Sequence, residues 1–160
     1  MSKAERLAHK LGSEGEKTLE FFRHLPEDGW QVQLYADGAC WTVHEVLAHI
    51  VESEGSLLRL FRRISEGGEG VAKGFDIDKY NAMAVAEIAE TSIEELIADF
   101  EVRRAELVKF VAGLDDADLE KQGRHAFLGE SSLYEMLRLQ YLHVNLHIRD
   151  VRTALEEVEK

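Results

Sequence analysis

Two histidines, His143 and His147, stand four residues apart in the segment YLHVNLHIRD, residues 141–150. On a helix that spacing puts both imidazoles on one face, with Cβ atoms ~5–6 Å apart. Two nitrogens so placed can share one ion at bonds of ~2.0–2.1 Å. They can equally be core histidines satisfied by Asp150, Gln140 or backbone carbonyls, since polar groups in a packed helix must find partners. The surrounding residues bear on the choice. Leu133, Leu137, Tyr141, Val144, Ile148, Val151 and Leu155 form an apolar row, and Met136, Leu139, Leu142 and Leu146 cover much of the rest. A helix apolar on most sides is expected at the centre of a fold.

A third ligand has to come from another helix. The segment HEVLAH, residues 44–49, resembles the zinc motif HExxH but has one residue too many. Five residues turn a helix by ~500°, so His44 and His49 point ~140° apart and cannot hold one ion. A metalloprotease reading therefore fails. His49 lies at the edge of the apolar stripe between Val46 and Ile50, whereas His44 points toward solvent. The chain has no Glu-x-x-His motif of the kind that di-iron carboxylate bundles use.

The elements that must position these groups are helices. Ser2-x-x-Glu5, Thr42-x-x-Glu45, Ser92-x-x-Glu95 and Ser132-x-x-Glu135 all match the capping box, each just ahead of an apolar period. They open four helices, expected over residues 2–25, 42–65, 92–111 and from 132 to near the C-terminus. A shorter helix is expected over 76–89. Trp41 before Thr42 suits a hydrophobic staple on Val46. Pro26 and Gly29 end the first helix, and the glycines of EGGEGVAKG mark a loop. The segment DDADLEKQGRHAFLGE reads as a connector with one helical turn. WQVQLY alternates like a strand, but a lone short strand has no partner. The expected fold is all-α, a four-helix bundle with a short extra helix in the long connection between the second and third helices. Residues 1–160 are read as a single domain.

Composition narrows the function classes. The formal net charge is -12, and 45% of residues are hydrophobic. An acidic chain disfavours nucleic acid and anionic membranes as partners. The densest basic patch, RLFRR at 59–63, reads as a solvated helix face flanked by glutamates. No apolar run reaches the ~20 residues of a membrane span, and the N-terminal segment has no apolar signal core. The single cysteine, Cys40, excludes an internal disulfide and fits a reducing, cytoplasmic setting. Cys40 precedes a helix N-terminus, where a thiolate is favoured, but a small, partly buried packing role is the expectation. Tyr80, Asn81 and Trp30 are candidates for a pocket mouth.

The segment CWTVHEVLAHI, followed some ninety residues on by GESSLYEMLRLQYLHVNLHIRDV, resembles the DinB-like superfamily. That superfamily includes the YfiT-type metal-dependent hydrolases and the mycothiol-dependent maleylpyruvate isomerases. The resemblance covers nearly the whole chain, including FDIDKYN, but only four positions are specific. Trp41 and His49 match a tryptophan opening the second helix and a ligand eight residues later. His143 and His147 match the ligand pair of the fourth helix. Isomerase relatives often carry glutamate where this chain has His143, which sets it nearer the three-histidine members.

The resemblance implies a mononuclear divalent ion on His49, His143 and His147. Zinc is favoured, and nickel or iron fit nearly as well. Asp150, Gln140, Glu52 and Ser53 are candidates for accepting the outer N–H of a ligating ring, though each is equally well explained by packing or exposure. The implied function is an enzyme that activates water or a low-molecular-weight thiol for hydrolysis or S-transfer on a small molecule. No catalytic side chain is singled out, and a homodimer is left open. The alternative is a non-catalytic binding or stress-resistance bundle whose site only anchors ligand. The remaining histidines, His9, His24, His44 and His125, are expected to be dispensable for metal binding.

Overall fold

The computed structural model describes residues 1–36 and 39–160, and the side chains at 35, 36 and 39 lie outside that description. Its order is α1 (Lys3–Arg23), β1 (Gln33–Ala36), β2 (Ala39–Thr42), α2 (Val43–Ser65), α3 (Ile77–Ile88), α4 (Ile93–Ala112), α5 (Asp116–Leu119), β3 (Gln122–His125), β4 (Gly129–Ser132) and α6 (Leu133–Val158). A 3₁₀ turn at Glu27–Gln31 follows α1. The four long helices α1, α2, α4 and α6 form the bundle, and α3 lies against α2. No helix among the described residues is long and apolar enough to cross a membrane.

All four expected hydroxyl caps are present. Ser2 and Thr42 complete reciprocal capping boxes with Glu5 and Glu45. Ser92 and Ser132 each accept from the backbone N–H three residues on. Asp115 and Asp118 form a further box on the four-residue α5.

The strands correct the sequence reading. β1, within WQVQLY, does have a partner: it pairs antiparallel with β2, with Gln33 opposite Thr42. The supposed connector before α6 holds α5 and then a second hairpin, β3–β4, with Gln122 opposite Ser132. Each hairpin runs straight into a long helix. The first helical N–H of α2, from Val43, donates to Val32 O at 3.0 Å, and that of α6, from Leu133, donates to Lys121 O at 2.8 Å. The residue ahead of each hairpin thus accepts one of the donors that a helix start leaves open.

The core is divided in two. One cluster gathers Phe22, Trp41, Val46, Ile50, Phe100 and Ile148; the other gathers Leu11, Phe61, Leu107, Met136 and Leu137. Between them, at mid-helix, sits a buried polar layer. Arg104 of α4 donates from Nε to Glu54 Oε2 of α2 at 2.9 Å and from a terminal nitrogen to Leu11 O of α1 at 3.0 Å. Gln140 Nε2 of α6 donates to Glu54 Oε1 at 2.8 Å. All four long helices meet there. Gly15 of α1 permits the approach, because a Cβ at that position would lie 2.7 Å from Arg104 Cγ.

Three burial expectations also change. Leu142 and Leu146 of α6 are 44% and 46% exposed, so α6 is not enclosed on most sides. Cys40 is exposed because it lies on a hairpin strand. Trp30 is a core residue, its ring stacked on Phe22 with centroids 5.9 Å apart.

Candidate metal centre

His49 lies two turns into α2, and His143 and His147 lie near the middle of α6. The polar layer of Glu54, Arg104 and Gln140 ties these two helices together about one turn away. Consequently the three rings converge. Their centroids are 6.1 Å apart for His49 and His143, 4.9 Å for His49 and His147, and 4.5 Å for His143 and His147. One ring nitrogen from each lies within 4.8 Å of the others. Among the described residues this is the group of histidine, cysteine or acidic side chains with the spacing of a metal site. The donor set is all imidazole, which suits a divalent ion with an open coordination position. His49 and His147 are buried and His143 is half-buried, so one side of the group faces a cavity.

Aromatic side chains set the rings. Trp41, one residue before the cap of α2, lies with its ring centroid 4.9 Å from that of His49. Phe127, on the tip of the β3–β4 hairpin, lies 5.5 Å from His143. The cavity has a volume of about 510 Å³ and is walled by α2, α3, α6, the 66–76 loop and this hairpin tip. The loop is strapped to β3. Arg124 N donates to Glu69 O at 2.8 Å, Val71 N donates to Arg124 O at 2.9 Å, and the Arg124 guanidinium donates to Val71 O at 2.6 Å. Gly70 stands at φ +95° against the Arg124 backbone, where a Cβ would collide.

His44 stands apart from the group, its Nε2 2.8 Å from Thr91 O, as the helix phase requires. Gln140 donates its Nε2 to Glu54. Glu52 accepts the Tyr80 hydroxyl at 2.6 Å. Ser53 lines the cavity, and Asp150 opens onto a separate recess with Cys40. Tyr80 and Asn81 do line the cavity. Burial, and then the Glu52 carboxylate, raises the Tyr80 phenol and keeps its proton in place.

His125 is the site residue that sequence reasoning missed. Its Nδ1 accepts from Phe127 N at 3.0 Å and Leu128 N at 3.3 Å, so the neutral ring carries its proton on Nε2. Burial, with His143 as a lesser cause, lowers its pKa to about 4. The signal was faint: His125 falls in a segment without helical or strand periodicity.

The model of the DinB superfamily matches residues 11–151. A comparison with curated proteins returns no match. Among solved structures, YfiT from Bacillus subtilis, described as a probable metal-dependent hydrolase with an unusual four-helix bundle topology, superposes with a TM-score of 0.78. The identity is 16%, over 99% of this chain and 90% of that one. The mycothiol-dependent maleylpyruvate isomerase superposes at 0.70 and 16% identity over 93% of this chain, which spans only 59% of that one. The colibactin self-resistance protein ClbS, solved in complex with a double-stranded DNA, gives 0.75 at 12% identity, over 98% and 97% of the two chains. At these identities the likeness to solved structures is one of fold.

Proposed function

Because the chain belongs to the DinB superfamily, we propose that it is a metal-dependent enzyme acting on a small molecule, with His49, His143 and His147 holding one divalent ion. The observation that carries this is the convergence of three imidazole nitrogens within 4.8 Å at the wall of a 510 Å³ cavity. Zinc fits three neutral nitrogen donors best, with nickel or iron close behind. Such an ion, when bound, supplies Lewis acidity that lowers the pKa of a ligated O–H or S–H toward neutrality. The chain's own residues would do the rest. Trp41 and Phe127 pack on the ligand rings and keep bulk water from them. His125, neutral with its proton on Nε2, would offer a hydrogen bond beside His143 to oxygen developing charge on the substrate. Whether the nucleophile is water or a low-molecular-weight thiol follows from chemistry at the same open position. Residues 1–160 are read as one domain serving one site.

The test is turnover of a model electrophile, a halonitrobenzene, by tag-free zinc-loaded protein with water alone and with a panel of thiols. Metal-dependent turnover that His143→Ala abolishes is expected. Ligand binding without any turnover would favour the rival reading, a bundle that only sequesters its ligand.

A further inference from the structure

The cavity wall is chemically unlike the chain around it. Acidic residues outnumber lysine and arginine 31 to 19, yet among the described residues no aspartate or glutamate lines the cavity, while Arg59 and Arg63 do. These arginines belong to the RLFRR segment, which sequence alone suggested was a solvated face. Arg59, Arg62 and Arg63 are indeed exposed, and two of them also border the cavity. On a helix of 100° per residue, positions 53, 56, 60 and 63 all fall within about 40° of position 49, and all five residues line the cavity. One stripe of α2 therefore runs from His49 to Arg63. At a rise of ~1.5 Å per residue, Arg59 and Arg63 start ~15 and ~21 Å along the axis from His49. Leu57, Leu60 and Leu139 supply the apolar part of the wall between them, and Ser53 and Ser56 interrupt it with hydroxyls.

A second observation points to a ligand. Asn81 is only 4% exposed and lines the cavity, and its Nδ2 has no hydrogen-bond acceptor among the described residues. A buried amide donor left unsatisfied costs ~1–3 kcal/mol, so the site is short of an acceptor. Glu52, beside the wall residue Ser53, is already engaged in accepting the Tyr80 hydroxyl.

We propose that the cavity selects an elongated, carboxylate-bearing small molecule. Arg59 and Arg63 dock its carboxylate at the mouth, the Asn81 amide adds a donor, and the apolar middle of the molecule carries its other end toward the three histidines. Two guanidiniums suit a carboxylate because each offers a planar fork of donors. Only the last element, delivery to a metal centre, rests on the function proposed above.

The probes are azelate, a nine-carbon dicarboxylate; nonanoate, which has the same length and one carboxylate fewer; and succinate, which is too short to span. Titration calorimetry with tag-free, zinc-loaded protein should show azelate binding at least tenfold tighter than either of the others. Arg59→Gln/Arg63→Gln should bring azelate down to the level of nonanoate with zinc stoichiometry and Tm unchanged. Asn81→Asp, which places a carboxylate in the wall, should weaken azelate by tenfold or more. In chelator-treated protein, nonanoate should still bind more tightly than it does to the double arginine variant, and that comparison stands even if no metal binds. Azelate no tighter than nonanoate on protein that holds zinc, full azelate affinity in the double arginine variant, or equal nonanoate binding by chelator-treated wild type and double arginine variant, would overturn the proposal. So would a DNA duplex that binds more tightly than azelate and is lost with the two arginines, since they would then serve a phosphate backbone.

Discussion

His44 and His49 share a helix and a residue type, and only phase separates them. His49 turns toward α6, whereas His44 meets Thr91 O at 2.8 Å. Replacing His49, His143 or His147 by alanine should abolish stoichiometric zinc binding by chelator-stripped protein, and His44→Ala should leave it at one per chain. Equal loss from His44→Ala and His49→Ala would break the phase argument. His125 makes a different prediction. The unfolded ring takes up a proton near ~6.5, but the folded ring does so only at about 4. Between those values the unfolded state binds more protons, so stability rises with pH. The advantage is complete above ~6.5 and is lost as pH falls toward 4, on the order of 3 kcal/mol in all. Denaturation of metal-free protein at pH 7 and pH 4.5 should show wild type losing more stability than His125→Gln; equal losses would contradict the buried, neutral ring. The clustering of His49, His143 and His147 was legible from spacing and family resemblance together. His125 was not, because nothing local distinguishes a histidine at a hairpin tip.

Among the elements, those governed by local rules were legible and those governed by distant contacts were not. Hydroxyl caps and the 3.6-residue period placed α1, α2, α4 and α6 to within about two residues, because both signals are written within a few positions. The hairpin strands QGRH and GESS carry almost no β-branched or aromatic side chains and exist because α6 and the 66–76 loop hold them. The mid-core polar layer was equally hidden, although a charge interrupts the apolar stripe of α2 at Glu54 and of α4 at Arg104. Gln140, a candidate for accepting a ring N–H or for packing, commits its Nε2 to Glu54. Glu54→Ala leaves Arg104 buried without its counter-ion and should cost roughly 3–5 kcal/mol. The layer also holds α2 against α6, so zinc affinity should fall with it. Chemical denaturation and zinc titration of the same variant check both effects, and a loss under 1 kcal/mol would show the layer to be incidental.

On the scale of the whole molecule, the bundle brings together three histidines from two helices far apart in sequence. Two helices, α2 and α6, each entered through a hairpin and joined by the buried Gln140–Glu54 hydrogen bond, place three rings at a cavity wall. Because those rings meet only in the native state, zinc should stabilise the fold by mass action. Ligation needs neutral imidazoles, so the stabilisation should be present above the unfolded histidine pKa of ~6.5 and fade on acidification. Melting with and without zinc at pH 7.5 and pH 5.5 should show a gap that shrinks at the lower pH, and a gap of unchanged size would point to carboxylate ligands. The central claim, one ion on His49, His143 and His147, is tested most directly by X-ray absorption at the zinc edge on tag-free protein loaded with one equivalent. Three imidazole nitrogens at ~2.0–2.1 Å with one further light atom are expected. A sulfur shell at ~2.3 Å, or a signal from a single imidazole, would contradict it.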